Sequence, residues 1–223
     1  MADQQLYQEI VGSLNHIAVF SRSDIFCAVS QLSQFNQNST ETHLKAAKQV
    51  LRYLKLTKHW KITYGNAPNL EITGYADANW GGDKNDRKST TGYVCMVNNG
   101  AVSWTSRKQP TVALSTMEAE YMSLSDAARE IYARIQLFQE LDIKIPTPIL
   151  FSDNQGALTI AQNPTNYQRA KHIDIRYHFI RQAVQNNKIR IEFIPSNQQL
   201  ADILTKSLGP LQHHRCGHLL RLF

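Results

Sequence analysis

Apolar residues in the first sixty positions recur at helical spacing. Ile10, Leu14, Ile17 and Ala18 share one face of an early helix. Ile25, Ala28, Val29 and Leu32 do the same in a second, with Ser21 or Ser23 as its expected N-cap. Leu44, Ala47, Leu51 and Leu54 line a third, started by the capping-box spacing of Asn38 and Glu41. Its adjacent face carries Lys45, Lys48, Arg52 and Lys55, either a solvated face or a stripe able to meet phosphates. Gly65, Asn66, Pro68 and Asn69 then break the pattern and place a domain boundary near residue 66.

Beyond that break the pattern changes. Residues 72–80, 91–97 and 101–106 read as a three-stranded meander, with Asn98-Asn99-Gly100 as a hairpin signal. A long helix over 116–141 follows, then a strand ending at Ser152 and helices over 154–162 and 173–186. A strand over 189–194 and a last helix starting near Gln198 complete the order β-β-β-α-β-α-α-β-α. That order predicts an α/β domain with a mixed sheet flanked by helices. Trp80 and Trp104 read as core aromatics, with a stacking role toward a nucleic acid as the alternative.

Composition narrows the class. A chain of 223 residues with 42% hydrophobic content can bury a sizeable core, as one large domain or two small ones. No apolar run approaches the roughly 18 residues of a membrane span. The N-terminus lacks the basic and apolar regions of a secretory signal, so the protein is expected not to be secreted. Three scattered cysteines argue for a reducing compartment rather than a disulfide framework. A formal charge of +6 is compatible with a polyanionic partner.

The chemistry lies in where the acids fall. Asp77 interrupts a run of apolar and small residues, where a buried carboxylate is costly unless paired. At about 100° per residue, Glu120 shares the stripe of Leu124, Ala127, Ile131, Ile135 and Phe138, all within about 60° of it. Glu118 lies about 160° away, on the expected solvent side. Ser115 and Glu118 have capping-box spacing, so Glu118 is assigned to the cap and Glu120 to the site. Asp153 ends a hydrophobic strand, either as a functional residue or as the N-cap of the next helix. Asp202 stands early in the last helix, where the dipole alone would favour an acid. No single acid decides the matter, but four together suit two hard divalent cations acting on a phosphodiester.

The segments Gly74-Tyr75-Ala76-Asp77-Ala78-Asn79-Trp80, Arg87-Lys88-Ser89-Thr90-Thr91-Gly92-Tyr93, Ala113-Leu114-Ser115-Thr116-Met117-Glu118-Ala119-Glu120-Tyr121 and Ala201-Asp202-Ile203-Leu204-Thr205-Lys206 closely resemble the ribonuclease H (RNase H) domain of copia-type LTR retrotransposon Pol polyproteins. Lys171-His172-Ile173-Asp174 with His178-Phe179-Ile180-Arg181 is similar to a further block of that family. Val11-Gly12-Ser13-Leu14 and Val50-Leu51-Arg52-Tyr53-Leu54-Lys55 resemble the end of its reverse transcriptase.

The resemblance implies an RNase H-like mixed five-stranded sheet flanked by helices and preceded by a small helical segment. It divides the chain into a helical reverse-transcriptase remnant (1–66), an RNase H domain (67–208) and a C-terminal tail (209–223). It implies an endoribonuclease that hydrolyses the RNA strand of RNA–DNA hybrids during reverse transcription. Asp77, Glu120, Asp153 and Asp202 would hold two Mg²⁺ ions, with Mn²⁺ able to substitute. The alternative is a non-catalytic module that binds hybrid or supports the polymerase. The implied partners are the hybrid and the polymerase domain, and the implied compartment is a cytoplasmic virus-like particle or the nucleus. The chain departs from the broader RNase H pattern in having no histidine in the loop before Asp202. His172 is the nearest candidate for an accessory role.

A hybrid is gripped by its backbones and recognised through 2′-hydroxyls. Arg87, Lys88, Ser89 and Thr90 before the second strand, and Arg107 and Lys108 after the third, are the expected phosphate contacts. Asn154 and Gln155 could read a sugar edge.

Overall fold

The computed structural model describes residues 3–65, 70–162 and 171–222, apart from the side chains of 171–175 and 177. Three helices open the chain. α1 (Gln4–Phe20) is capped by the Asp3 carboxylate, which accepts from the Leu6 N–H at 3.1 Å, and it buries Tyr7, Val11, Leu14 and Ala18. A 3₁₀ turn (Ser23–Ile25) leads into α2 (Phe26–Ser33). Neither expected serine caps α2. The Ser21 hydroxyl donates back to the Ile17 carbonyl and Ser23 is buried, so the 3₁₀ turn starts the helix instead. α3 (Glu41–Leu56) also starts later than Asn38 would set. The Thr40 hydroxyl accepts from the His43 N–H, and His43 Nδ1 accepts from the Thr40 N–H.

Five strands follow: β1 (Ile72–Asn79), β2 (Thr90–Val97), β3 (Gly100–Lys108), β4 (Ile149–Ser152) and β5 (Arg190–Phe193). They form one sheet in the order β3-β2-β1-β4-β5. The β1–β2 and β2–β3 pairs are antiparallel, and β1–β4 and β4–β5 are parallel. This is the RNase H-like mixed five-stranded sheet that the sequence leads one to expect. The β2–β3 hairpin turns on Asn98 and Asn99, both at positive φ (49° and 63°), as a two-residue turn requires.

Helices cover both faces. On one, α4 (Thr116–Glu140) packs Leu124, Ala127, Ile131 and Ile135 over Ile72, Ala76 and Cys95, joined by α5 (Gln155–Gln162) and α6 (Lys171–Gln185). On the other, Val94 and Met96 meet α7 (Asp202–Thr205) and α8 (Pro210–Leu219) through Ile203, Leu204, Cys216 and Leu220. Among the described residues no helix is long and apolar enough to cross a membrane.

Packing crosses the boundary expected at 66. Phe26, Trp60 and Ile62 belong to the same cluster as Val94 and Leu204, and the Trp104 indole N–H donates to the Ala18 carbonyl at 2.8 Å. Residues of the 209–222 segment pack into the same cluster. α8 seals that cluster, and Ile62 pairs with Leu222 as an isolated antiparallel bridge. Between them, the Arg22 guanidinium bonds the Asp24 carboxylate at 2.7 Å and stacks over Tyr53 and Trp60, while His213 Nε2 meets the Asp24 carbonyl at 3.0 Å.

Candidate active site

β1 and β4 run parallel with Tyr75 opposite Phe151, so their C-terminal ends emerge together. Asp77 lies on β1 just past this pair, and Asp153 follows the last residue of β4. The first turns of α4 are held at the same end of the sheet. Ala119 packs with Ala78 and Ala113, and the Gln109 amide donates to both the Thr91 hydroxyl and the Ala119 carbonyl. That brings Glu120 in beside the strands. One carboxylate oxygen from each of Asp77, Glu120 and Asp153 lies within 4.8 Å of the others. This is the one group of metal-ligating side chains of its kind among the described residues.

Local structure explains each placement. Asn154, not Asp153, caps α5: its Oδ1 accepts from the Ala157 N–H at 2.9 Å. Asp153 is thereby left to face the other acids. The Ser115 hydroxyl caps α4 by accepting from the Glu118 N–H. The Glu118 carboxylate accepts from the Leu114 N–H, not from Ser115. Glu118 is buried rather than solvent-facing, and the loop returning from β3 meets it through the Leu114 N–H. Gly92, opposite Asp77 on β2, lets α7 approach: a Cβ there would overlap Thr205 Cγ2 and Leu204 Cβ.

Asp202, the first residue of α7, stands outside the group of three but is joined to it. Lys206 Nζ lies 2.9 Å from Asp202 Oδ1 and 3.0 Å from Asp77 Oδ1. The Thr205 hydroxyl donates to Asp77 Oδ2. Burial first, then the charges of Asp77 and Asp153, push the Glu120 carboxyl from an ordinary 4.5 to about 9. Burial and Asp77 raise Asp202 to about 6 against the pull of Lys206. Burial works against the Lys206 charge, yet Asp77 and Asp202 outweigh it and raise its pKa. Glu120 Oε2 is buried with no hydrogen-bond partner, although the carboxylate stands among other acids. Such an orphaned oxygen in a convergent all-oxygen donor set fits a hard divalent cation. Asp77, Glu120 and Asp153 could hold one ion, and Asp77 with Asp202 could contribute to a second.

The expected substrate contacts fare unequally. Arg87 is exposed, with its backbone at φ 58° in the β1–β2 loop, and Lys88 beside it is half-buried. Ser89 is a correction: it is buried, and its hydroxyl accepts from the Gly81 N–H, shaping the loop from within. Thr90 is half-buried at the start of β2. Arg107 and Lys108 lie within β3 rather than after it. Arg107 bonds Asp126 at 2.7 Å, and Lys108 is held by Asp83 and Asp86. Asn154 spends its amide oxygen on the cap, and Gln155 is exposed. Trp80 is not core: it is 48% exposed, with its indole N–H donating to the Ala113 carbonyl. The His172 side chain lies outside the described residues. Lys206 and Thr205 went unnoticed in the sequence, where the signal was a lysine four positions after an acid, one helical turn away.

No family model matches the chain. The retrovirus-related Pol polyprotein from transposon RE1 of Arabidopsis thaliana is 42% identical over 94% of this chain and 14% of its own length. The secreted RxLR effector protein 161 of Plasmopara viticola is 45% identical, over 56% of this chain and 87% of its own. The Pol match runs through nearly the whole chain and the effector match through little more than half. The chain spans only 14% of that Pol polyprotein. Among solved structures, the foamy viral protease-reverse transcriptase in complex with RNA/DNA hybrid superposes with a TM-score of 0.51 at 11% identity. That superposition covers 93% of this chain and 27% of the viral one, a likeness of fold.

Proposed function

The chain belongs to the copia-type retrovirus-related Pol polyproteins, and from that premise we propose that it is an RNase H-type endonuclease cutting the RNA strand of RNA–DNA hybrids. One observation carries the proposal. Three acids from β1, β4 and α4 converge within 4.8 Å at one end of the sheet, with a buried oxygen of Glu120 left unsatisfied.

Asp77, Glu120, Asp153 and Asp202 would hold two divalent ions, Mg²⁺ or Mn²⁺. When bound, these ions supply activation of a water and stabilisation of the leaving oxygen in phosphodiester hydrolysis. The chain's own groups set the geometry. Thr205 and Lys206 fix the two Asp77 oxygens, and the Ser123 hydroxyl donates to the carbonyls of Asp77 and Gly92, holding the strands in place under α4. Arg87, Lys88, Thr90, Arg107, Lys108, Asn154 and Gln155 surround this end of the sheet as hybrid contacts, and of these Arg87, Arg107 and Gln155 are exposed. A reverse transcriptase polymerase domain is the proposed protein partner.

The test is a hybrid labelled separately on each strand. With Mg²⁺ the RNA is cut and the DNA is spared, and EDTA abolishes cleavage. RNA left whole with both Mg²⁺ and Mn²⁺ would sink the reading.

A further inference from the structure

The acidic site has two unequal halves. On one side Asp77, Glu120 and Asp153 approach within 4.8 Å, and the buried Glu120 oxygen has no hydrogen-bond partner. On the other, Asp77 and Asp202 face each other across an ammonium. Lys206 Nζ takes one oxygen from each, at 3.0 and 2.9 Å. The Asp77 side chain is 1% exposed and that of Asp202 is 8%, so neither carboxylate has water enough to carry its charge alone. The Lys206 side chain is 39% exposed and stands at the C-terminal end of a four-residue helix, with its flexible stem reaching in from solvent. An ammonium placed so offsets one of the pair's two negative charges from within the protein. It also takes up the two oxygens that a second divalent ion would need.

We propose that Lys206 is a built-in monovalent cation that occupies the Asp77–Asp202 half of the site and must swing out before that half takes a divalent ion. This rests on the metal-dependent reading above. Ion–ion competition gives it a definite consequence: the two halves fill in order. The Glu120 half has Glu120 and Asp153 as ligands that Lys206 does not hold, and gives up a proton when its ion binds, whereas the Asp202 half takes its ion only against the lysine. Lys206 is thus a positioning residue that sets the occupancy threshold of the second ion. A merely structural lysine, joining Asp202 to Lys206 along one helical turn, would leave metal affinity unchanged.

The experiment is titration of the metal-free protein with Mn²⁺ alone, read by calorimetry and by the loss of free-ion paramagnetic resonance signal, with no nucleic acid present. The wild type is expected to bind one ion, and a second at least about tenfold more weakly. In Lys206→Met the second dissociation constant falls at least about tenfold, while Lys206→Arg keeps the wild-type gap. Lys206→Gln, which retains a donor without the charge, should behave as Lys206→Met and covers the case in which the methionine variant does not fold. Equal second-site affinities in the wild type and the uncharged variants overturn the role of Lys206 and leave the metal site standing. Absence of any Mn²⁺ binding overturns both.

Discussion

Asp77 and Glu120 bring their carboxylates within 4.8 Å of one another, one from the middle of the sheet and the other from the helix laid over it. Burial and this neighbour, together with Asp153, raise Glu120 from 4.5 to about 9. Between those values the metal-free folded protein holds a proton that the unfolded chain has released. The stability this proton brings is complete below about 4.5 and declines as pH climbs to about 9. Asp202 adds a decline of the same sign between 3.8 and about 6. Each group contributes a slope of at most about 1.4 kcal/mol per pH unit. Thermal melts in EDTA should therefore show a falling melting temperature from pH 5 to pH 9, with a shallower fall in Glu120→Gln. A melting temperature that rises over this range contradicts the convergence of the acids.

Divalent ions should reverse that decline. Binding to the folded state alone stabilises it by about 2.7 kcal/mol at a hundredfold excess over the dissociation constant. The ligands must first lose their protons, so the gain from Mg²⁺ is larger at pH 8 than at pH 5. Paired melts with Mg²⁺ and with EDTA at the two pH values measure it. A gain equal at both would mean that the ion binds away from Glu120.

Gly92 lies opposite Asp77, where α7 comes closest to β2. Gly92→Ala would press a methyl group into Thr205 and Leu204 and push Asp202 and Lys206 away from Asp77. The expected loss is about 1–3 kcal/mol in denaturant unfolding, with weakened metal binding. Wild-type values in both would show that the helix yields freely.

Arg22 and Asp24 form a buried ion pair at the junction of the opening helices with α8. Arg22→Ala leaves Asp24 buried without its partner, and a loss of about 3–5 kcal/mol is expected. Because Trp60 and Ile62 share a core cluster with Leu204 and Leu220, urea unfolding should remain one transition at a lower midpoint. Two separate transitions in the wild type would show that residues 1–66 fold independently of the sheet.

The strand and helix order was legible because the hydrophobic periods change sharply at the residue 65–69 break, and periodicity separated Glu120 from Glu118. What stayed hidden depended on contacts between distant segments. Glu118 is buried and bonded to the Leu114 N–H of the loop that returns from β3, a contact a helical wheel does not include. Ser89 turns inward because the Gly81 N–H needs an acceptor. Asn154 and Asp153 both suit a cap, and only the Asn154–Ala157 hydrogen bond decides between them. Lys206 reads as an ordinary surface lysine until α7 is set against Asp77. The helix in 210–219 buries its Cys216 in a cluster made with Val94 and Met96 of the sheet, Ile203 and Leu204 of α7, and Phe26, Trp60 and Ile62 from far up the chain.

The most direct measurement compares cleavage of a labelled RNA–DNA hybrid by the wild type and by Asp153→Asn, both with Mg²⁺. Asp153 closes the group of three acids without capping α5, so its amide variant should still fold. The wild type is expected to cut the RNA strand, and Asp153→Asn to be slower by about a hundred- to a thousandfold, the scale of losing one preorganised electrostatic group. An Asp153→Asn protein that cuts as fast as the wild type, or a wild type that binds hybrid and leaves it whole, would contradict a nuclease built on these acids.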